Sequence, residues 1–345
     1  MSVPSRPAVV QRTLIAIAVV GFLIGLRFAT VQANVDPPSI VKIQGPLMGT
    51  IWTIEVVDRG RPAEARKAID RAYDELARID KLMSEWKPES PISQVNAAAG
   101  KRPVEVPAEL RAIIERSKQY GEKSGGIFDI TWHGMSRIWH FDETFVPPTQ
   151  AAVHAAKQNV DYRLIQIDGN KVFLPNAAMS MGLGGIAKGY AIDRASAILA
   201  QAGFKDTLVD GGGDVLVSGT REDGSPWRVG IQNPRGERGD MLGTVQASNR
   251  AVATSGDYER FRIVNGVRYH HIIDPRTGFP ANASISVTVI ADTAERAVVL
   301  CKPVFILGPE KGLAFARAEH VDALIIDPQA KRYSTEGFRR IFDGQ

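Results

Sequence analysis

The sequence predicts an α/β fold of the mixed α+β kind, arranged as a single two-lobed unit. Three observations predict this fold class. Several segments carry apolar residues at helical spacing, and short strands dominate residues 207–290. No internal repeat of solenoid period and no low-complexity linker divides residues 34–345. Strand order does not follow from these patterns, and we expect a ligand site between the two lobes.

The elements follow in order along the chain. Residues 51–57 alternate like a strand, and residues 62–83 have helical spacing after turn residues. Residues 108–120 and 186–202 predict further helices, the second ending at Gly203, where a C-cap glycine belongs. Beyond these, we expect strands at residues 207–210, 214–218, 227–232, 243–247, 260–264, 284–290 and 323–326, and helices at residues 293–300 and 309–319.

The composition is that of an ordinary globular protein of 345 residues, with 44% hydrophobic and 23% charged residues. A formal net charge of +4 and the lack of a basic stripe with interleaved aromatics argue against nucleic-acid binding. A mildly basic chain suits an anionic ligand. The single cysteine, Cys301, excludes an internal disulfide.

The N-terminus predicts export from the cytoplasm. Arg6 and Arg12 precede a short apolar run at residues 14–26, and a small-residue cleavage site follows at residues 31–33. An uncleaved anchor through residues 14–26 stays open, because Arg27 could lie at a membrane face. We therefore expect a signal peptide or anchor at residues 1–33 and a mature domain at residues 34–345, in the periplasm or anchored to the inner membrane and facing the periplasm.

The segment H-H-I-I-D-P-R-T-G at residues 270–278 predicts a functional site. Turn residues flank it, so a short strand should run into an exposed loop. The loop offers a base in His271, a carboxylate in Asp274 and a hydroxyl in Thr277. The competing interpretation is a polar surface hairpin.

Two glycine-rich segments predict close approach of the backbone to a ligand. The first, M-G-L-G-G-I-A-K-G-Y at residues 181–190, stands at a helix start, where exposed N–H groups attract anions, and places Lys188 in the first turn. Packing of the helix onto a sheet explains these glycines equally well. The segment matches neither the Walker A loop nor the dinucleotide fingerprint. The second, D-G-G-G-D at residues 210–214, has too few carboxylates for calcium.

Aromatic residues supply the remaining candidates. Trp86, in M-S-E-W at the end of the first helix, is either a core anchor or a platform for a planar ligand. The Trp and His residues at positions 132, 133, 139 and 140 match no metal spacing, and we interpret them as packing and rim residues.

Taken in order, these segments resemble the FAD:protein FMN transferases, the ApbE-type flavin transferases. The matching blocks span nearly the whole mature chain in the order of that family: residues 48–50, 83–86, 92–96, 126–129, 184–193, 211–214, 255–259, 271–278 and 307–311. The resemblance implies an FAD cleft between the lobes. It also implies an enzyme that splits FAD and joins FMN, through its phosphate, to a Thr or Ser of a target flavoprotein, releasing AMP.

The resemblance also implies roles for single residues. His271 takes the place of the catalytic histidine, and Asp274 and Thr277 fix the loop and the substrate. Trp86 takes the place of an aromatic residue that stacks on the flavin. The other residues that match the FAD cleft are Met48, Asp129, Lys188, Gly213 and Asp257.

The chain departs from the family at the metal site. Val298 stands where a Mg²⁺-binding Asp is usual, and Lys302 stands where its Thr partner is usual. Residues at i and i+4 share one helix face, but Val and Lys cannot bind Mg²⁺ together. Gly182 likewise replaces an Asp, whereas the third metal contact, the backbone carbonyl of Gly185, survives any change of side chain. Pro303 predicts that the helix ends or kinks there.

Several hypotheses follow. The first is an active flavin transferase with a modified, metal-free site, in which Lys302 reaches the pyrophosphate of FAD. An equally good prediction for Lys302 is that it points to solvent at a helix end. The second hypothesis is an FAD-binding protein of the same fold with little turnover, and the third is an extracytoplasmic scaffold. The acceptor is expected to be an exported or membrane flavoprotein.

Overall fold

The computed structural model describes residues 39–344. The expected signal peptide or anchor at residues 1–33 lies outside these residues. Within them, no helix is both long enough and apolar enough to cross a membrane.

An eight-stranded sheet forms the centre of the molecule, and every neighbouring pair in it is antiparallel. In spatial order, its strands are β1 (Ile40–Leu47), β2 (Thr50–Val57), β6 (Thr207–Gly211), β7 (Val215–Ser218), β10 (Arg250–Gly256), β15 (Ser286–Ala291), β16 (Asp322–Ile326) and β17 (Arg332–Ser334). Successive side chains of each strand point to opposite faces of the sheet, and both faces are covered. This alternation explains the period-2 pattern of the sequence.

Helices cover one face of this sheet. The helix α1 (Pro62–Met83) begins with a proline and buries a stripe that includes Ile69, Leu76 and Ile79. It packs on α5 (Ala187–Gln201), which in turn packs on α6 (Ala294–Ala318). The remaining elements on this side are α2 (Pro91–Ala97), α3 (Ala108–Lys123) and a small sheet of β3 (Val104–Glu105), β4 (Gln166–Asp168) and β5 (Lys171–Phe173).

A second core lies on the opposite face of the sheet. There Val217, Val252 and Ile290 pack with Trp227 of a small three-stranded sheet. That sheet consists of β8 (Trp227–Gln232), β9 (Met241–Ala247) and β18 (Phe342–Gly344), with α7 (Glu336–Ile341) beside it.

A third, aromatic cluster supports the region of residues 270–280. Trp139 stacks on Tyr269, and its indole N–H donates to the carbonyl oxygen of Gly278 at 2.8 Å. The segments around it are a 3-10 helix (Ile130–Arg137), α4 (Gln150–Lys157) and the hairpins β11 (Phe261–Val264) with β12 (Val267–His270) and β13 (Ile273–Asp274) with β14 (Phe279–Pro280). A short 3-10 helix, Tyr162–Leu164, precedes β4. The interpretation of Trp139 as a packing residue is confirmed by its burial.

The structure corrects the prediction for the region after residue 293. The expected end of the helix at Pro303 is wrong, because α6 continues past this residue to a break at Gly308, which has φ 74° and ψ −170°. Val304, Phe305 and Ile306 are buried beyond the proline, so packing holds the helix where the sequence predicts a stop. A Cβ at Gly308 would lie 2.7 Å from that of Ala283, so only glycine fits this break.

Candidate active site

His270 and His271 have different environments. The Nε2 of His270 lies 2.7 Å from the carbonyl oxygen of Ala281, and its Nδ1 accepts from the backbone N–H of Ile272. Both ring nitrogens of His270 are therefore used within the fold. The Nδ1 of His271, in contrast, is buried and has no hydrogen-bond partner within residues 39–344. Such an atom indicates a place for a ligand, because an unpaired buried polar group costs stability.

His271 is electrically neutral in the free protein. Burial lowers its pKa to about 3, and the neighbouring charges of His270, Arg260 and Lys302 act in the same direction. A neutral imidazole with a free nitrogen can accept a proton, as a general base must.

The loop that follows His271 is less exposed than the sequence predicts. Ile272, Ile273 and Asp274 are buried, whereas Arg276 and Thr277 are exposed. The Asp274 carboxylate accepts from the guanidinium of Arg276 at 2.9 and 2.7 Å, while its carbonyl oxygen accepts from the backbone N–H groups of Thr277 and Gly278. Asp274 therefore holds the loop in shape and presents the Thr277 hydroxyl at its outer edge.

Lys188 lies at the start of α5, next to the glycine-rich loop. Its ammonium forms an ion pair with the buried Asp214 carboxylate at 2.9 Å. The pKa of Lys188 is raised, chiefly by the charge of Asp214. The pair joins two segments that the sequence singles out separately, the glycine-rich helix start and D-G-G-G-D.

The β1–β2 turn meets the second glycine-rich segment. Met48 and Gly49 adopt positive φ values of 48° and 71°, as a tight hairpin turn requires. A Cβ on Gly212 would come within 2.1 Å of the Thr50 hydroxyl, so this turn and the D-G-G-G-D loop touch. Gly213 beside it is exposed, and nothing lies within 4 Å of its would-be Cβ.

The prediction that Lys302 points to solvent at a helix end is wrong, and its contact with the pyrophosphate of FAD stays a prediction. Lys302 is half-buried inside α6, with its ammonium donating to the carbonyl oxygen of Val298 at 2.8 Å. Burial lowers its pKa, while the charge of Asp214 opposes that effect and the charge of Lys188 adds to it. Lys302 therefore lies in one electrostatic cluster with Lys188, Asp214 and His271.

Trp86 is 72% exposed, so it is not a core anchor. It meets the ring of His133 edge-on, with centroids 5.5 Å apart. Gly182 makes room for this histidine, because a Cβ there would lie 2.8 Å from that of His133. An exposed indole with one fixed edge can stack on a planar ligand.

Two predicted FAD contacts have strong partners inside the fold. Asp129 caps the first 3-10 helix, accepting from Thr131, and its other oxygen accepts from the backbone N–H of Tyr162 at 2.9 Å. Asp257 is held by two hydrogen bonds from Arg235, at 2.7 and 2.8 Å. Both carboxylates are thus fixed in place, and their contact with FAD stays a prediction.

Sequence reasoning missed two residues that belong to this region. The Glu85 carboxylate faces the backbone N–H groups of Leu183 and Gly184, and burial raises its pKa. Arg235 comes from the segment between β8 and β9 to reach Asp257. Glu85 belongs to the M-S-E-W motif, so the sequence could have pointed to it. Arg235 lies in a segment without any distinguishing pattern.

Comparisons with known proteins show the family to which the chain belongs. A model of the ApbE family matches residues 48–325. The chain is 33% identical to the FAD:protein FMN transferase of Treponema pallidum over 310 residues, which cover 84% of this chain and 85% of that protein. It is 28% identical to that of Vibrio cholerae, covering 92% of this chain and 98% of the relative.

Solved structures give the same result. The crystal structure of the ApbE protein from Thermotoga maritima matches with a TM-score of 0.82 at 30% identity, covering 88% of this chain and 100% of that one. The flavin transferase ApbE from Vibrio cholerae matches with a TM-score of 0.78 at 28% identity, covering 88% and 100%. The mixed α+β fold class is confirmed, and the chain belongs to the ApbE family. The two relatives compared by sequence are both named FAD:protein FMN transferase.

The residues present do not fit the Mg²⁺ ion that the family implies. The Val298 side chain is fully buried and apolar, and Lys302 brings a positive charge. Within residues 39–344, no three His, Cys, Asp or Glu side chains cluster in a way that could hold a metal ion. Mg²⁺ requires several oxygen ligands in octahedral geometry, and one backbone carbonyl at Gly185 does not supply them.

Proposed function

We propose that this protein is an FAD:protein FMN transferase, an enzyme that moves FMN from FAD to a Thr or Ser hydroxyl of a flavoprotein. The observation that carries this proposal is the buried, unpartnered Nδ1 of the neutral His271, in the same electrostatic cluster as Lys188, Asp214 and Lys302. Membership of the ApbE family and the names of its relatives support the same activity.

The proposed reaction is a phosphoryl transfer. The hydroxyl oxygen of the acceptor bonds to the phosphorus of the FMN half, and the bond from that phosphorus to the bridging oxygen breaks. His271 takes the hydroxyl proton, and AMP leaves with the bridging oxygen. Protein groups contribute mainly position and positive charge, which such reactions need most.

The ammonium groups and the helix start supply that charge. Lys188 and Lys302 lie beside Asp214, and the first backbone N–H groups of α5 add partial positive charge. Pyrophosphate bound here would also favour protonated His271, so its pKa rises when FAD binds and it becomes a stronger base during the reaction. Trp86 is proposed to stack on the flavin ring.

A cell that lacks the gene tests the activity. Proteins with covalently bound flavin fluoresce on a denaturing gel, so the deletion strain should lose at least one fluorescent band. The wild-type gene should restore it, and His271→Ala should not. Purified protein mixed with FAD and that acceptor should produce AMP and an acceptor heavier by FMN. If this protein binds FAD while the acceptor gains no mass, the result supports instead an FAD-binding protein without turnover.

We also propose that the enzyme acts in the periplasm, on an exported or membrane flavoprotein. The support is the charged N-terminus, the apolar run at residues 14–26 and the small residues at 31–33. Cell fractionation and N-terminal sequencing test this localisation. We expect exported protein that begins near residue 34, or full-length protein in the inner membrane if the run is an anchor. A cytoplasmic product that starts at residue 1 contradicts the proposal.

A further inference from the structure

The cluster around Asp214 brings two lysine ammonium groups together. The ammonium of Lys188 lies 2.9 Å from the Asp214 carboxylate. Lys302 is close enough for the charges of both residues to act on it. Two ammonium groups therefore lie in one partly buried place, where the charges of Asp210, Asp214 and Glu259 act as well.

Lys302 keeps donors available for a ligand. Its ammonium has three N–H donors, and one is used on the carbonyl oxygen of Val298, four residues earlier in the same helix. Across residues 39–344, no carboxylate lies within ion-pair distance, 4.0 Å, of this ammonium. The remaining donors are thus free to bind an anion.

Two further features favour an anion at this place. The unpartnered Nδ1 of His271 is buried, and the positive charge of Lys302 acts on the His271 ring. The N-terminus of α5, a helix of 15 residues, begins at Ala187 beside Lys188. These groups come from three separate segments of the chain.

The way α5 and α6 pack explains how the two lysines meet. A Cβ on Gly189 would lie 2.5 Å from the carbonyl oxygen of Ala294, so the helices touch next to Lys188. Asp193 on α5 also accepts from the backbone N–H groups of Ala294 and Glu295 at 2.8 and 2.9 Å. The positions of both lysines are therefore set by the helix scaffold.

We propose that Lys302, together with Lys188, binds the pyrophosphate of FAD in place of a divalent cation. FAD binding and FMN transfer in this chain then need no metal. The inference rests on the proposed function and deepens it, because it says how this member of the family neutralises its substrate. The lysines act as fixed point charges that hold the pyrophosphate while the anhydride bond breaks.

Binding in the absence of metal is the first test. Inorganic pyrophosphate and FAD are titrated separately into the full-length protein by calorimetry, once with EDTA and once with Mg²⁺. The wild type should bind both ligands with affinities that agree within about threefold between the two conditions. An affinity that EDTA lowers tenfold or more overturns the inference.

Lys302→Met is the decisive variant, because it keeps the apolar stem and removes the charge. Loss of a charge-assisted contact predicts binding weaker by about 10- to 100-fold for both ligands. Lys302→Arg keeps the charge and should bind within about tenfold of the wild type. The matched control is Lys67→Ala, an exposed lysine on α1, which should bind like the wild type. If Lys302→Met binds pyrophosphate and FAD as tightly as Lys67→Ala does, the inference is overturned.

The double variant Val298→Asp with Lys302→Thr gives the converse test. It restores the side chains usual in the family, so FAD binding should become dependent on Mg²⁺ and sensitive to EDTA. Circular dichroism checks that each variant is folded, and Lys302→Met decides the matter if the buried Asp prevents folding.

The two proposals fail in distinguishable ways. Loss of pyrophosphate binding in Lys302→Met, without FMN transfer by the wild type to any acceptor, refutes the proposed function and leaves the anion site. If the wild type transfers FMN only with Mg²⁺, and Lys302→Met does not change this transfer, the proposed function stands and the anion site is refuted.

Discussion

His271 is the residue on which the proposed reaction depends most. Its neighbour His270 uses both ring nitrogens inside the fold, while His271 leaves Nδ1 without a partner. The resemblance to the family selects His271, but spacing alone gives no physical difference between the two histidines. The structure shows that difference in the contacts of His270 with Ala281 and Ile272, which no spacing rule describes.

His271→Ala should lower the rate of FMN transfer by about 10²- to 10⁴-fold, the usual effect of removing a general base. FAD binding should stay within about tenfold, because the lysines and Trp86 hold the rest of the molecule. Transfer is measured by the mass gain of the acceptor, and binding by calorimetry. His154→Ala, an exposed histidine on α4, is the control and should be fully active. A His271→Ala variant that transfers at the wild-type rate removes this residue from the mechanism.

The low pKa of His271 predicts an unusual pH dependence. A base works in its neutral form, and a histidine with pKa about 3 in the free protein stays neutral at all pH values well above 3. The value of kcat/KM for FAD reports the free enzyme, so it should change by less than about twofold between pH 8 and pH 5.5. An ordinary histidine with pKa about 6.5 would lose about tenfold over this range. If kcat/KM instead falls as the pH is lowered from 7 to 6, His271 with its low pKa is not the base.

At the scale of elements, agreement between sequence and structure follows the strength of the local pattern. The helix α1 has the bounds expected from its long apolar stripe and its initial proline. The expectation fails at α6, where the sequence places a stop at Pro303 and the buried residues after it keep the helix intact. Lys302 consequently lies within the helix rather than at its end, and its ammonium donates to the carbonyl oxygen of Val298.

Gly189 tests the contact between α5 and α6. Gly189→Ala should lower the free energy of unfolding by about 1–3 kcal/mol, because its methyl group would press against the backbone of Ala294. This overpacking should exceed the gain of about 1 kcal/mol from the better helix propensity of alanine. Urea denaturation measures the change, and pyrophosphate binding should weaken with it as the lysines separate.

The control for this helix is Gln201→Ala, at an exposed position of α5, which should change stability by less than about 0.5 kcal/mol. If Gly189→Ala is as stable as the wild type and binds pyrophosphate equally well, the close approach of these helices does not position the lysines.

On the scale of the whole molecule, the sequence predicts the class of fold better than its arrangement. Mixed helices and short strands follow from periodicity, but the order of the eight strands depends on which buried faces meet. The same limit applies to the site. Its motifs are readable one by one, whereas the contact of Lys188 with Asp214 and the inward position of Lys302 arise only after the sheet and the helices pack.

The central sheet joins the two large cores, so the molecule should unfold as one unit. Along β10, Ala251 and Ala253 face the helix-side core while Val252 faces the opposite one. In β15, Val289 and Ile290 divide in the same way. A ligand that binds the folded state alone therefore stabilises both cores together.

FAD at about 100 times its dissociation constant should add about 2.7 kcal/mol to the free energy of unfolding. For a protein of this size we expect the melting temperature to rise by about 5 °C, in a single transition. Because two lysines rather than a metal hold the pyrophosphate, the rise should be the same in EDTA and in Mg²⁺. Differential scanning calorimetry with and without FAD measures it. Two separate transitions, of which only one moves with FAD, would show that the cores unfold independently, and a rise seen only with Mg²⁺ would show that a metal carries the substrate.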